Sequence, residues 1–217
     1  MMPDSDNSDS LYILDMVPAR TCSFEVLSYN PVEEWSWRPL PLPPFFDDPE
    51  YKVPDGAPFT VVDGTSIWVS TTTATYSFDT LACEWSKVGD WVLPFNAEYV
   101  SELGLWLGLS DHRPYNLCAL EGLSTSAVGS SPPTELQVGK EFEPPDEDWL
   151  LLMHTLVNVG SCRFCIVSVF DVITEHNEYD SIRVVVFTGV EVSPSQPGLR
   201  MIRHKTKFFI GGINHVL

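Results

Sequence analysis

The sequence predicts an all-β chain of antiparallel four-stranded units: an incomplete β-propeller of about three four-stranded blades preceded by half a blade. Three observations carry this. SYNPVEEWS (28–36) and SFDTLACEWS (77–86) repeat the order Ser, aromatic, Asn or Asp, turn, Glu-Trp-Ser. VVDGTSIWVS (61–70) and YVSELGLWLG (99–108) both run from an apolar pair through a turn into a strand centred on Trp, and VNVGSCRFCI (157–166) is a weaker third copy with Phe164 near the aromatic slot. Short runs rich in Val, Ile, Phe and Trp alternate with Gly, Pro, Asn and Asp clusters throughout, the pattern of strands and turns. Repeats are weighed first because a missed period misassigns the whole fold.

The elements follow in order. LYILDMV (11–17) supplies at most one strand. FEVLSY and WSWRPL form a hairpin, and PLPPFFDDPE is a Pro-rich loop where strand pairing is disfavoured. FTVVDG, SIWVST, ATYSFD and CEWSKVG make one set of four strands; AEYVSE, LWLGLS, YNLCALE and ELQVGKEF make the second. LLLMHTLVN, RFCIVSVF, RVVVFTGVEV and LRMIRHKTKFF make the last, with LLLMHTL the one run that also suits a helix. SAVGSSPPT (126–134) reads as a mobile polar connection. Residues 1–20 are expected to be a disordered acidic N-terminus and 21–217 the partial propeller. An isolated blade cannot bury both faces, so its aromatics belong between blades. On this reading Trp35 and Trp85 hold equivalent places at successive seams, and Trp68 and Trp106 are also core. Trp37 and Trp149 lack Trp counterparts and are the candidates for exposed contacts. Because Trp37 shares a face with Trp35 in a regular strand, its exposure calls for a strand end or a bulge.

Composition narrows the function. The 217 residues carry 12 Lys and Arg against 30 Asp and Glu, a net charge of −18. That argues against nucleic acid, whose phosphates demand a basic footprint, and against anionic membrane surfaces. No apolar run has the length of a membrane span, and no signal-peptide pattern opens the chain. Five cysteines, an odd number, read as reduced thiols of a cytoplasmic or nuclear protein.

No residue is assigned a catalytic, cofactor-binding or metal-binding role. Cys162 and Cys165 form a Cys-x-x-Cys without a second ligand pair; they are expected to lie reduced and buried, on opposite faces of a strand. His112, His154, His176, His204 and His215 show no metal-ligand spacing, and His154 reads as a structural residue in an apolar run. Gly-x-Ser-x-Gly and the phosphate-binding glycine motifs are absent. The glycines of GLWLG suit turns and close packing. RMIRHKTK (200–207) is the single basic stretch. It reads either as an acidic-partner or nuclear-localisation patch, or as an edge strand armed with Lys and Arg against aberrant pairing, and its alternation favours the second.

The blocks TYSFDT, CEWSKVGDWVLPF, AEYVSELGLWLGLS, NLCALEGL, RFCIVSVF, TGVEV and LRMIRHKTK, in that order and over roughly residues 20–217, resemble a family of uncharacterised grass-plant proteins carrying the domain of unknown function numbered 1668. Its repeat pattern is kelch-like or F-box-associated. The resemblance implies a propeller-type fold and a plant protein, and no assigned activity. Longer members carry additional N-terminal sequence, so an open ring is expected here. The leading expectation is a non-catalytic intracellular scaffold that binds an unidentified protein partner through loops on one propeller face. The alternatives are an enzyme on a propeller scaffold, such as an oxidase or hydrolase, and a truncated duplicate without function.

Overall fold

The computed structural model describes residues 10–17, 24–32, 34–54, 57–110, 115–125, 132–139, 149–173, 181–195 and 198–210. Fifteen strands, each with an antiparallel partner, and a 3-10 turn at Pro44–Asp47 are present among these residues. The chain divides into two compact units, one of residues 1–92 with 125–132 and the other of residues 93–124 with 133–217.

The first unit begins with β1 (Leu11–Leu14), β2 (Phe24–Asn30) and β3 (Glu34–Pro39), joined in the order β1-β2-β3. β1 lies within residues 1–20, ahead of the boundary at 21. It joins the domain because Tyr12 and Leu14 alternate with Leu11 and Ile13, giving both faces of the sheet an apolar side chain. The Pro-rich loop forms no strand. Its turn η1 (Pro44–Asp47) buries Phe45 against Tyr51, Tyr76 and Trp85.

Next comes a four-stranded meander of β4 (Phe59–Val62), β5 (Ser66–Ser70), β6 (Thr75–Asp79) and β7 (Glu84–Gly89). One face presents Ile67, Phe78 and Trp85 to Phe24, Val26, Tyr12 and Leu14 of β1 and β2, and these side chains form one apolar cluster. The opposite face buries Trp68, 1% exposed, beside Trp91 at 6.0 Å between ring centres. Its hydroxyls satisfy one another: Trp68 Nε1 donates to Ser66 Oγ (3.1 Å), Ser66 and Ser77 share a hydrogen bond (2.6 Å), and Thr75 Oγ1 donates to the Trp91 carbonyl (2.7 Å). Buried polar groups paired in this way escape the desolvation penalty of orphaned ones.

The second unit contains β8 (Ala97–Val100), β9 (Leu105–Leu109), β10 (Leu117–Glu121) and β11 (Thr134–Gly139), then β12 (Trp149–Gly160), β13 (Arg163–Ile173), β14 (Ser181–Pro194) and β15 (Leu199–Ile210). Each set pairs in chain order. Val100, Leu107, Leu117 and Ala119 of the first set pack with Phe164, Ile166, Val190 and Val192 of the second. Gly108 sits where a Cβ would strike the Asn96 carbonyl and the Phe95 ring, the close packing expected of a glycine inside a strand. Gly104, at φ +66°, closes the β8–β9 turn.

LLLMHTL is strand, and β12 to β15 are 11 to 14 residues long. Trp106 is buried, as its match to Trp68 requires. The two differ in register: Trp68 faces Thr60 and Trp106 faces Tyr99, because the second turn holds one more residue.

Candidate protein-docking face

The two copies of the Glu-Trp-Ser motif build hairpins with the same cross-strand pairs, the second with one more residue in its turn. In β2–β3, Tyr29 pairs with Trp35 and Ser28 with Ser36; in β6–β7, Phe78 pairs with Trp85 and Ser77 with Ser86. The aromatic pairs are 5.5 Å and 5.1 Å apart, within the range for attractive ring contact. Each turn opens on an Asx bond: Asn30 Oδ1 accepts from Val32 N–H (2.8 Å), and Asp79 Oδ1 accepts from Leu81 N–H (2.8 Å). A residue at positive φ leads out of each turn, Glu34 at 59° as the first of β3 and Cys83 at 55° just before β7. Short polar side chains that bond their own backbone explain why Asn or Asp opens both turns.

The surroundings of the two tryptophans differ. Trp85 is half-buried, touches Phe24 and Phe78, and donates from Nε1 to the Pro41 carbonyl (2.8 Å). It therefore shields the seam between the β1–β3 sheet and the β4–β7 meander. Trp35 is 60% exposed and Trp37 50%. The expected equivalence of Trp35 and Trp85 holds for the hairpin and fails for burial, because no sheet among the described residues covers Trp35. Trp37 is exposed without the strand end or bulge that a covered Trp35 would have required. The β2–β3 register is unbroken, and the whole face it shares with Trp35 is open.

That face is continuous. Leu11, Leu27 and Trp37 form one cross-strand row, Tyr29 and Trp35 the next, and Ile13 lies beside Glu25. Leu27 is half-buried, and Leu11, Ile13, Tyr29, Trp35 and Trp37 are exposed. Contiguous exposed apolar side chains on a sheet mark an interaction surface far more often than scattered ones do. Covering each indole would remove roughly 100 Å² from water, about 3 kcal/mol of transfer free energy. Leu11, Ile13 and Tyr29 were not singled out in the sequence, and Trp35 was expected at a covered seam. Their signal was the alternation of Leu27, Tyr29, Trp35 and Trp37 with Ser28 and Ser36, which sets all four on one face.

The other sequence candidates do not converge. Trp149 is half-buried against Phe170 rather than exposed. Cys162 lies outside the strand. With Ser161 it forms the two-residue β12–β13 turn, at φ 56° and 55°, the left-handed pair that suits a tight hairpin. Cys162 and Cys165 are free and half-buried, less covered than expected. Burial pushes both thiols up, and the nearby carboxylates of Glu102 and Glu191 add to the rise at Cys162. Burial, then Glu135, pushes the Cys118 thiol up to about 12. These shifts oppose the thiolate that a nucleophile or metal ligand needs.

His154 is half-buried, edge-on to Tyr115 at 5.1 Å. His204 lies 3.4 Å from Glu191. Cys22, His112, His176 and His215 lie outside the described residues, as does most of 126–134. Among the described residues no group of three His, Cys, Asp or Glu side chains is placed to hold a metal, and no helix is long and apolar enough to cross a membrane.

Residues 2–210 match the family model described as a protein of unknown function (DUF1668), and the chain belongs to that family. No curated protein and no solved structure matches it.

Proposed function

We propose that the chain is a non-catalytic protein-interaction scaffold built from kelch-like propeller blades, and that it docks a partner on the Trp35–Trp37 face. The observation that carries this is the open aromatic face of β1–β3. The same hairpin elsewhere in the chain has its Trp85 face covered by another sheet.

The blade reading is supported by antiparallel meanders that follow one another in sequence and pack face to face within each unit, with aromatics between them. An F-box-associated role inside a plant cell is the biological setting that this family's repeat pattern suggests. Free thiols fit such a reducing compartment. The partner is a protein surface with apolar side chains at its centre, as Phe24 and Val26 offer to Trp85. Its rim is basic, to suit Glu25 and Glu34 beside the face.

The test is affinity purification from plant tissue with the parent and with Trp35→Asp/Trp37→Asp, both verified as folded by circular dichroism. Proteins that co-purify with the parent and are lost with the variant, and that then bind the purified parent directly, support the reading. Identical partner sets for the two baits overturn it.

A further inference from the structure

β15 closes one side of the sheet β12-β13-β14-β15 and, among the described residues, pairs with β14 alone. Such an edge offers backbone N–H and C=O groups to an added strand. It also carries Arg200, Arg203, Lys205 and Lys207, four of the 12 Lys and Arg of a chain with net charge −18, and no Asp or Glu.

Charges on an edge strand ordinarily keep other strands away. Two observations show that this does not account for β15. The opposite edge of the same sheet, β12, has no Asp, Glu, Lys or Arg in its 12 residues and exposes Leu150, Leu152, Val157 and Val159. Protection by charge is therefore missing from the edge that most needs it. In addition, β15 mixes its cations with exposed Ile202, Phe208, Phe209 and Ile210, and Lys207 Nζ stands 4.9 Å from the centre of the Phe209 ring. A strand armed only for repulsion has no use for these apolar side chains.

The register spreads the cations. Arg203 faces Val190 and Thr206 faces Thr188, so His204 and Lys205 together oppose Gly189 in a bulge. The extra residue breaks the two-residue alternation. Arg203 then shares a face with Thr206, while Lys207, opposite Phe187, lies on the other. Glu191 engages His204.

We infer that the β15 edge binds an extended acidic polypeptide segment as an added β-strand. Main-chain hydrogen bonds supply the pairing, and the Lys and Arg side chains select carboxylates over other sequences. This inference does not rest on the reading of the Trp35 face.

The probe is a fluorescent decapeptide of Glu and Val, titrated against the full chain and followed by anisotropy. Saturable binding that weakens with added salt is expected. Lys205→Glu/Lys207→Glu should lower affinity by about tenfold or more and create binding to the corresponding Lys–Val peptide, since the new carboxylates repel the first and attract the second. Lys207→Gln, a milder change, should weaken binding without creating that preference. A Glu–Val peptide N-methylated at alternate residues should lose binding, and Trp35→Ala should leave it unchanged. The proposal is overturned if the Glu–Val peptide does not bind or if the N-methylated peptide binds equally well. It is also overturned if the charge-reversed chain binds Glu–Val like the parent, or if single-stranded RNA or anionic vesicles bind the parent as tightly as the peptide.

Discussion

In the β2–β3 hairpin Tyr29 faces Trp35 across the strands; in the β6–β7 hairpin Phe78 faces Trp85. The turns open on the same Asx bond, and the ring pairs are similarly spaced. Phe78 is nevertheless fully buried, while Tyr29 is 47% exposed. The local sequence sets the hairpin, its turn and its cross-strand pairs, since these depend on residues a few positions apart. Burial depends on whether another sheet lies over the face, and the motif does not encode that. One aromatic pair therefore contributes to stability, while the other remains exposed.

The comparison can be broken at several points. The largest effect is expected at the buried ring. Phe78→Ala should lower the unfolding free energy by about 3–5 kcal/mol, the range for emptying an aromatic core site. Tyr29→Ala should stay below about 1 kcal/mol, as surface changes do. Urea denaturation of both variants measures the gap, and similar losses would mean that the outer face is covered after all.

Gly89 comes next. It follows the Trp85 motif, and a Cβ there would meet the indole of Trp91. Gly89→Ala should cost about 1–3 kcal/mol through overpacking, read as a lowered denaturation midpoint. An unchanged midpoint would show that the Trp91 ring moves aside freely.

The turns should behave alike, which sharpens the contrast with the faces. Asn30→Ala and Asp79→Ala each remove an Asx acceptor and should each cost about 0.5–1.5 kcal/mol. A large difference between them would indicate that the hairpins differ locally and not only in their cover.

The smallest effect concerns Asp63, in the β4–β5 turn of the same meander. Thr125 donates to its Oδ2 from the hydroxyl (2.7 Å) and from the backbone (3.1 Å), and these bonds hold its carboxyl below the ordinary 3.8. A carboxylate with a depressed folded pKa adds stability that is present above the unfolded value and is lost as pH falls through the folded one. Thr125→Ala should raise the Asp63 pKa in an NMR titration, lower stability slightly at neutral pH, and flatten the acid limb below pH 3.8, where the variant and the parent converge. A pKa that does not move would remove Thr125 as the cause.

Much of the fold was legible. Strands such as SIWVS and RFCIVSVF are short β-branched and aromatic runs between turn residues, and period and propensity agree there. The edge character of β15 was legible from its alternating cations. Three features were not. Trp35 is open because of what is absent from its face, and the sequence of the face carries no trace of that. The β12–β13 turn uses Ser161 and Cys162 at positive φ, where Asn-Gly would have announced it, so Cys162 was assigned to a strand. β1 was read as at most one strand and still counted within the acidic tail, because a four-residue strand resembles a linker until it finds β2.

The most direct measurement is chemical denaturation of Trp85→Ala and Trp35→Ala beside the parent under identical conditions. Trp85→Ala removes an indole in contact with Phe24 and Phe78 together with its bond to the Pro41 carbonyl. It should lower stability by about 3 kcal/mol, the lower end for a buried Trp because this one is only half-covered. Trp35→Ala should stay within about 0.5 kcal/mol of the parent. Equal losses in the two variants, or a larger loss at Trp35, would contradict the account.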